Sequence, residues 1–326
     1  MQDLISDATV LVPEPIGSSG LAQLERAGCR LIAPWRSGGE ATFDASRAAL
    51  AVADAVIVRL FPMGRTEISS APRLRAIAKA GVGVDNIDLA AAAERGVAVL
   101  WAPGANSNAV AEHTLALMFA LCRQTVAAHD ALRSGVPYTR EQFLGPELHG
   151  KTLLVVGLGR VGSRVAEKAG GGLGMRVLAH DPYVDAGAYR GPAVFVDVLD
   201  DCLPEVDFVT LHVPLTDETR GMIDADRLAR LPPSARVINT SRGAVIDESA
   251  LVDALHRGGC AGAALDVFTQ EPLPAGHPLT LAPRTVLTPH IAGMTPEAFE
   301  ASARASARGV LDVLAGREPD HVVSAD

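Results

Sequence analysis

Apolar and polar positions alternate in blocks along the first third of the chain, with short apolar runs separated by longer mixed stretches. Runs that are apolar at consecutive positions are typical of strands buried on both faces of a sheet. Four such runs predict strands: Thr9–Val12, Ala55–Val58, Leu74–Ala78 and Val97–Leu100. A helix is predicted over Ala90–Arg95, because the pattern stops at Gly96. Strands and helices in alternation indicate βαβ units and a parallel sheet.

A long helix is predicted between the two halves of the chain. Residues Ser107–Gln124 are apolar on most sides and Ser107 is a suitable N-cap residue, so we expect this helix to be buried between two layers. The following segment, Ser134–Gly150, is richer in Gly, Pro and polar residues and indicates a connection.

A second and more regular βαβ series begins at Lys151. Its predicted strands are Thr152–Val156, Arg176–Ala179, Phe208–His212, Arg236–Asn239 and Val286–Leu287. The glycine triplet Gly170–Gly172 is unfavourable in a helix and is predicted to mark a helix end. An amphipathic helix over Pro296–Leu314 completes the pattern, which is that of an α/β protein.

Length, charge and cysteine spacing narrow the possible functions. The chain has 326 residues, which is enough for two domains, and a net charge of −9 without a Lys/Arg cluster. This charge argues against nucleic acid or an anionic membrane surface as the main partner. The four cysteines, Cys29, Cys122, Cys202 and Cys260, form no Cys-x-x-Cys pair, so neither a disulfide framework nor a metal site is expected.

The sequence also favours a cytoplasmic location. The N-terminus lacks the basic region and the long apolar stretch of a secretory signal. No window has the unbroken apolar length of a membrane-spanning helix. The cysteines are interpreted as small core residues in a reducing compartment.

The glycine motif Gly157–Gly162 (GLGRVG) follows one predicted strand and opens a helical stretch. A carboxylate, Asp181, ends the next strand about 20 residues on, as dinucleotide-binding units require. Gly157 permits a tight turn, Gly159 lets the backbone approach a pyrophosphate, and Gly162 allows close helix packing. Asp181 is expected to bind the adenosine ribose and to repel a 2′-phosphate, which predicts NAD rather than NADP. The alternative interpretation is a glycine-rich turn with an unrelated surface aspartate. The complete order of strand, turn, helix, strand and aspartate favours a dinucleotide site over that alternative.

Three charged side chains near strand ends form the predicted reacting centre. Arg242 follows the strand that ends at Asn239, and its guanidinium offers a forked, permanently charged grip on a carboxylate. His290 lies in the segment TPHIAG, and an imidazole suits proton exchange at neutral pH. Glu271 is expected to hydrogen-bond His290 and so to fix its tautomer. Asp266 is expected to accept a hydrogen bond from a nicotinamide carboxamide.

Together these groups predict hydride and proton transfer between a nicotinamide and a 2-keto or 2-hydroxy carboxylate. Singly, each has a common structural interpretation, since most arginines and glutamates lie at protein surfaces. The histidines interpreted in that ordinary way, as helix or loop residues, are His113, His129, His149, His256 and His277.

Further motifs follow in order along the chain: Gly81–Asp88 (GVGVDNID), Asn106-Ser107 with Ala111–Thr114 (AEHT), Leu148–Thr152 (LHGKT) and His212–Thr216 (HVPLT). The segments around Arg242, Glu271 and His290 come after them. Over nearly its whole length the chain resembles the D-isomer-specific 2-hydroxyacid dehydrogenases, which include phosphoglycerate dehydrogenase, hydroxypyruvate/glyoxylate reductase and D-lactate dehydrogenase. Several matches in order are more specific than any one of them.

The resemblance implies an α/β fold with two doubly wound, Rossmann-like parallel-sheet domains and a cleft between them. Residues 1–105 and 296–326 are expected to form a discontinuous substrate-binding domain, and residues 106–295 the NAD-binding domain. The implied activity is hydride transfer between NAD(H) and a D-2-hydroxy acid or 2-keto acid. Family members are commonly homodimers paired through the coenzyme domain, so a homodimer is expected.

The resemblance also implies residue roles. Arg242 binds substrate, and Glu271 supports His290 as the acid or base. The implied substrate positions are Arg59, Val82, Gly83 and Asn106, together with Arg242 and His290. The implied cofactor positions are Gly157, Gly159, Arg160, Val161, Gly162, Asp181, His212, Pro214, Thr240, Ser241 and Asp266.

One segment departs from the phosphoglycerate dehydrogenase subgroup. Arg59 is followed by the apolar run Leu60–Met63, where that subgroup has small polar and basic residues. A phosphate usually needs several cationic or N–H donors, so this run argues against phosphohydroxypyruvate. It favours a keto acid with an apolar tail or a small uncharged one. No appended regulatory module is expected after the last helix.

Two alternatives stay open. An NAD(H)-sensing binding protein, similar to the family's transcriptional corepressors, keeps the same cleft without turnover, although no disordered tail or extra peptide-binding region favours it. NAD-dependent formate dehydrogenases share the architecture, but that subgroup carries Gln where Glu271 stands. Because hydride leaves formate without a hydroxyl proton, Glu271 favours acid–base chemistry.

Overall fold

The computed structural model describes residues 5, 7–37 and 43–323. The chain divides into two compact units, a first unit of residues 1–106 with 294–326, and a second unit of residues 107–293. The predicted domain limits differ from these bounds by one or two residues, because Asn106 and the two residues before Pro296 belong with the first unit. The prediction that the N-terminus is not a secretory signal rests on a segment that lies mostly outside the described residues.

Five strands of the first unit form one parallel sheet in the order β2-β1-β3-β4-β5. They are β1 (Thr9–Leu11), β2 (Arg30–Ile32), β3 (Ala55–Val58), β4 (Ala76–Lys79) and β5 (Ala98–Leu100). The helices are α1 (Ser18–Arg26), α2 (Phe43–Ala49), α3 (Arg65–Ser69), α4 (Leu89–Glu94) and, after the second unit, α12 (Pro296–Leu314). The four predicted strands are confirmed to within two residues. The edge strand β2 was not predicted, because its three residues are only partly buried.

Alternate side chains of these strands enter two apolar layers. On one face Val10 and Ile57 pack with α1 and with Ala307 of α12. On the other face Leu11 and Val56 belong to a second cluster. Since both faces are covered, the strands are continuously apolar, which is why the sequence pattern detected them.

Seven strands of the second unit form another parallel sheet, in the order β12-β11-β10-β9-β6-β7-β8. The strands are β6 (Thr152–Val156), β7 (Arg176–His180), β8 (Val194–Phe195), β9 (Phe208–Leu211), β10 (Arg236–Asn239), β11 (Gly262–Leu265) and β12 (Thr285–Leu287). The helices are α5 (Ser107–Cys122), α6 (Thr125–Ser134), α7 (Arg160–Glu167), α8 (Leu199–Cys202), α9 (Ala225–Arg230), α10 (Glu248–Arg257) and α11 (Pro278–Leu281). Two parallel sheets with helices packed against them confirm the predicted Rossmann-like α/β fold.

Two helices of the second unit differ from their predictions. The long helix α5 ends at Cys122, two residues before its predicted end. Gln124 has a left-handed backbone conformation with φ of 49°, and a further helix that was not predicted, α6, begins after it. We expected α5 to be buried between two layers, but one stripe of the helix, including Phe119, is exposed. The glycine triplet belongs to a single π turn, Lys168–Gly172, that ends the helical segment begun by α7.

Membrane and metal features were searched within residues 5, 7–37 and 43–323. In these residues no helix is long and apolar enough to cross a membrane. The same residues contain no group of three His, Cys, Asp or Glu side chains that could hold a metal ion. The four cysteines are buried free thiols.

A carboxylate of α12 closes the N-terminal end of α1. The N–H groups of Ser18 and Ser19 each donate to Glu300 at 2.9 Å, and both serine hydroxyls also contact this carboxylate. The Ser19 hydroxyl and N–H, followed by Ser18, lower the pKa of Glu300 to about 2. A helix N-terminus favours an anion, so this contact ties α1 to α12.

We expect Glu300→Gln to lower the thermal midpoint at pH 7. Because the folded-state pKa of Glu300 lies below its ordinary value of 4.5, the carboxylate stabilises the fold above that value. This stabilisation is lost as the pH falls toward 2, so the midpoints of wild type and variant should converge there. Thermal unfolding from pH 7 to pH 2.5 measures the difference. Glu297→Gln, on an exposed residue of the same helix, is the matched control; an identical pH dependence for both variants would contradict the assignment.

Candidate active site

Predicted cofactor and reacting residues follow the carboxyl ends of the strands in the second unit. Because every strand of that sheet is parallel, these ends share one edge. Ligands of open α/β sheets bind at such an edge, where successive loops present their side chains. The loops after β6, β7, β9, β10, β11 and β12 therefore define the candidate site.

The glycine turn after β6 has three different constraints at its three glycines. Gly157 has φ of 89°, and a Cβ there would lie 2.8 Å from the backbone of His212. A Cβ on Gly162 would lie 2.0 Å from the carbonyl oxygen of Gly157. Gly159, by contrast, faces open space, with no atom within 4 Å of an added Cβ. Arg160 and Val161 follow as the first residues of α7. The open position at a helix N-terminus fits a pyrophosphate.

Asp181 follows β7 and is bonded to the glycine turn. Its Oδ2 accepts the N–H of Leu158 at 2.7 Å, and its Oδ1 accepts the N–H of Tyr183 at 2.9 Å. Each carboxylate oxygen retains acceptor capacity for a further donor such as a hydroxyl. The structure therefore places Asp181 beside the turn, as the predicted ribose contact requires.

His212 follows β9 on the other side of the glycine turn. Its Nε2 is 3.0 Å from the Thr210 hydroxyl, while its buried Nδ1 has no hydrogen-bond partner among the described residues. Burial lowers the pKa of His212 to about 3, so its ring is neutral at physiological pH. Pro214, two residues on, accepts the Thr219 hydroxyl at 2.6 Å through its carbonyl oxygen. A neutral ring adds no charge to this part of the predicted cofactor site.

The turn after β10 holds Arg242 through the buried side chain of Asn239. The Asn239 amide donates to the carbonyl oxygen of Arg242 at 2.8 Å and accepts the N–H and hydroxyl of Ser241 at 2.9 Å. Thr240 exchanges a 2.9 Å hydrogen bond with Thr114 of α5. A Cβ on Gly243 would lie 2.0 Å from the backbone of Phe268, so only glycine permits this turn to approach the next loop. Asn239 was predicted only as a strand end, and its contacts with Arg242 and Ser241 show that it positions this turn.

Asp266, which follows β11, is fully buried and holds the loop that carries His290. Its Oδ1 accepts the Thr288 hydroxyl at 2.6 Å and the N–H of Ile291 at 2.9 Å, and its Oδ2 accepts the N–H of Ala292 at 2.8 Å. Burial raises the pKa of Asp266, but these hydrogen bonds and that of His113 outweigh burial and lower it. The carboxylate is therefore ionised, and Oδ2 keeps capacity for the predicted carboxamide.

Glu271 and His290 form a close hydrogen-bonded pair. His290 Nδ1 lies 2.6 Å from Glu271 Oε2, and the other carboxylate oxygen accepts the N–H of Phe268 at 3.0 Å. Burial raises the pKa of Glu271, but the hydrogen bonds from His290 and Phe268, with the charges of His290 and Arg242, lower it overall. An ionised carboxylate only accepts hydrogen bonds, so Nδ1 carries the proton facing Glu271 and Nε2 is left for another partner.

The backbone at His290 is in the left-handed region, with φ of 53°. Its N–H donates to the carbonyl oxygens of Asp266 at 2.8 Å and Thr288 at 3.0 Å. Left-handed conformations of non-glycine residues are unfavourable and persist where the surroundings impose them. The Asp266 contacts on both sides of His290 are the surroundings that impose this one.

His113 contributes to the same cluster, although the sequence predicted an ordinary helix residue. It lies on α5, with Nε2 3.1 Å from the Thr288 hydroxyl oxygen and 3.5 Å from Asp266 Oδ1. Since the Thr288 hydroxyl donates its only proton to Asp266, Nε2 of His113 is the donor to Thr288. A separation of 175 residues between His113 and Thr288 left no sequence signal of the contact.

The predicted substrate residues of the first unit lie in three of its segments. Val82 and Gly83 occupy the loop after β4, and within the described residues their N–H groups donate to no other group. Asn106 is the last residue before α5. Arg59 follows β3, and its guanidinium lies over the Phe299 ring of α12, 5.1 Å from the centroid.

The apolar run after Arg59 lies largely in the core, which weakens the substrate preference inferred from it. Phe61 and Met63 are fully buried in the core of the first unit. Only Leu60 is strongly exposed, at 66%. The run is apolar because two of its residues fill the core beneath the sheet, so it carries less information on the substrate than we expected.

Comparison with known proteins identifies the family. Residues 115–292 match the family described as D-isomer specific 2-hydroxyacid dehydrogenase, NAD binding domain. The chain is 39% identical over 315 residues to a D-3-phosphoglycerate dehydrogenase of Mycobacterium tuberculosis, covering 96% of this chain and 58% of that protein. The chain belongs to the D-isomer-specific 2-hydroxyacid dehydrogenase family.

Solved structures agree with this membership. A protein from Thermus thermophilus is 36% identical, with a TM-score of 0.87 over 97% of this chain and 100% of that one. An NAD-dependent formate dehydrogenase from Staphylococcus aureus, in complex with NAD, is 29% identical, with a TM-score of 0.83 over 98% of this chain and 99% of that one. The family match, which falls within the second unit, confirms NAD as the predicted cofactor. The roles of that unit's individual residues stay predictions.

Proposed function

We propose that the chain is an NAD-dependent D-2-hydroxyacid dehydrogenase, which interconverts a 2-keto acid and a D-2-hydroxy acid. The 2.6 Å hydrogen bond between His290 Nδ1 and Glu271 Oε2 carries this proposal. It forms a proton-exchanging pair in the same unit as the glycine turn, and the charge of Arg242 acts on its carboxylate. Such a pair is required for a reaction that moves a hydroxyl proton together with a hydride.

In this proposal Nε2 of His290 exchanges the proton with the substrate. During reduction it donates a proton to the carbonyl oxygen, and during oxidation it removes the hydroxyl proton. Bound NAD(H) supplies or accepts the hydride at the substrate carbon. Glu271, whose pKa is lowered, stays ionised and stabilises the imidazolium that forms when Nε2 is protonated.

Substrate binding is proposed for Arg242 in the second unit and for Arg59, Val82, Gly83 and Asn106 in the first. The planar guanidinium of Arg242 matches a carboxylate in two hydrogen bonds. The N–H groups of Val82 and Gly83, which lack partners among the described residues, suit the same kind of anion. Because Phe61 and Met63 are buried in the core, the apolar run does not exclude a phosphorylated substrate. Phosphorylated and non-phosphorylated keto acids therefore both need to be tested.

Cofactor binding is proposed at the turns after β6, β7, β9, β10 and β11. The open space at Gly159 supports a pyrophosphate there, and Asp181 supports a ribose with a free 2′-hydroxyl. The remaining proposed contacts come from Arg160, Val161, His212, Pro214, Thr240, Ser241 and Asp266. A carboxylate at the ribose position disfavours a 2′-phosphate, so we propose NAD as the preferred cofactor over NADP.

The curated relatives bear the name D-3-phosphoglycerate dehydrogenase, and the chain spans about three fifths of the length of those it matches first. Phosphohydroxypyruvate therefore belongs among the substrates to be tested. A cytoplasmic location stays a prediction, which the four buried free thiols support.

A homodimer is proposed through α5 and α6. The helix α6 buries none of its residues, although it carries Val126 and Leu132, and Leu132 is 65% exposed. Phe119 on α5 and Leu144 after α6 are also exposed. Exposed apolar residues on consecutive elements are a feature of protein–protein interfaces. A second copy of the chain is the partner that the family resemblance implies.

The first expected result is keto-acid-dependent oxidation of NADH at neutral pH. Purified protein would be given glyoxylate, hydroxypyruvate, phosphohydroxypyruvate or phenylpyruvate, with NADPH in parallel. We expect turnover of at least one keto acid and a clear preference for NADH, because Asp181 repels a 2′-phosphate. If no keto acid caused NADH oxidation while NADH still bound, the proposed dehydrogenase activity would be contradicted and an NAD(H)-sensing protein favoured.

The second expected result concerns the acid–base residue. His290→Gln should lower kcat by at least about 10²-fold, because the side chain can no longer exchange a proton, while NADH binding survives. Steady-state kinetics and fluorescence titration with NADH measure the two quantities. His256→Gln, on an exposed histidine of α10, is the matched control. Unchanged turnover in His290→Gln would remove this residue from the chemistry.

The third expected result is a particle of about twice the 33.9 kDa chain mass. Sedimentation equilibrium should show Leu132→Glu shifted toward the monomer, because a charge would then be buried at the interface. Leu281→Glu, at a position 74% exposed on α11, should leave the dimer intact. A monomeric wild type at micromolar concentration would overturn the dimer.

A further inference from the structure

A buried carboxylate lies beneath the loop that carries Arg59. Glu14 follows β1 and is only 8% exposed. Its Oε2 accepts the N–H groups of Arg59, Leu60 and Phe61, each at 2.8 Å, and its Oε1 also accepts the N–H of Leu60 at 2.9 Å. Three successive backbone donors converge on one carboxylate, so the path of the loop is fixed by that side chain.

The opposite edge of the same loop is held by two polar side chains. Lys79 Nζ donates to the carbonyl oxygen of Arg59 at 2.6 Å, and Asn86 Nδ2 donates to that of Phe61 at 2.7 Å. Beyond them, the N–H of Met63 donates to the carbonyl oxygen of Asn86 at 2.8 Å. With Phe61 and Met63 buried in the core, the loop has little freedom to move.

The guanidinium of Arg59 is held by groups that do not neutralise it. It lies 5.1 Å from the centroid of the Phe299 ring, and its Nη2 is 3.1 Å from Met294 Sδ. Among the described residues of the first unit, no carboxylate lies within ion-pair distance of it. An aromatic ring on one side orients a guanidinium and leaves its N–H donors suited to an oxyanion.

A second buried carboxylate of the same unit shows a purely structural arrangement. Asp54 accepts the N–H of Thr9 at 2.8 Å and pairs with the guanidinium of Arg73 at 2.9 Å and 3.0 Å. Glu14, by contrast, pairs with no Lys or Arg among the described residues and contacts backbone N–H groups of the Arg59 loop. The two acids are equally buried but serve different partners.

We propose that Glu14 is a positioning residue of the substrate site. By tying the backbone of residues 59–61, it fixes where Arg59 offers its guanidinium to an oxyanion of the substrate. The inference rests on the proposed function, in which Arg59 binds the keto acid. Because Glu14 holds the loop of a proposed binding residue in the first unit, it should affect substrate binding rather than the chemical step.

The test is a comparison of Glu14→Gln with wild type at saturating NADH. An amide keeps the shape of the side chain, but its NH₂ group cannot accept an N–H, so part of the loop loses its partner. We expect KM for the keto acid to rise about tenfold with kcat and NADH affinity unchanged within about twofold, which is the signature of lost substrate binding. The effect should be strongly non-additive with Arg59→Ala, because both changes remove the same contact.

Asp54→Asn is the matched control. It removes a buried carboxylate from the same unit and should lower the thermal midpoint without changing KM. The inference is overturned if Glu14→Gln leaves KM unchanged in an active enzyme, if its effect simply adds to that of Arg59→Ala, or if Asp54→Asn raises KM equally.

A failure of the proposed function has a different signature. If wild type turns over no keto acid, calorimetric binding of phosphohydroxypyruvate to the NAD⁺-loaded protein replaces kinetics as the test of Glu14. Weaker binding by Glu14→Gln than by wild type supports the inference. Equal binding, or none by wild type, overturns it.

Discussion

The fully buried carboxylate of Asp266 is the contact on which the reacting end of the second unit depends. It accepts a hydroxyl and two backbone N–H groups from the loop that carries His290. These bonds hold His290 in its left-handed conformation and bring Nδ1 to 2.6 Å from Glu271. Removing the carboxylate would leave the buried N–H of Ala292 and two partly buried donors without this acceptor, which is costly. The proton-exchanging pair is therefore a product of a polar cluster formed below it.

The sequence was sufficient to predict the strands that are buried on both faces, because such strands consist of consecutive apolar residues. The strand β6 was predicted to the residue because its Leu and Val side chains cover both faces of the sheet. The strand β11 was missed because Gly-Ala-Ala-Leu carries no β-branched residue, although it is fully buried. The helix α6 was missed because it buries no residue in the chain's own core, so packing within the chain imposes no apolar face on its sequence.

Within the candidate site, local patterns were predictable and distant pairings were not. The turn at Gly157–Gly162 and the place of Asp181 follow from motif spacing, because strand, turn and helix are adjacent in sequence. The contacts of His113 with Thr288 and of Glu14 with Arg59 span 175 and 45 residues, and the order of strands in the sheets brings each pair together. The apolar run after Arg59 was misinterpreted in a different way. Its apolar residues Phe61 and Met63 are needed by the core, but their apolar character was attributed to the substrate.

The two segments of the first unit have a consequence for the way the chain is synthesised. One face of its sheet is covered by α12, whose Ala303, Ala307 and Val310 complete that apolar layer. The ribosome makes residues 107–293 between the sheet and this helix, so the inserted unit is the first to have all of its core. Until α12 emerges, the earlier strands present an unfinished apolar face, which is the kind of surface that chaperones protect. We therefore expect the second unit to complete its core before the first, although most of the first unit is translated earlier.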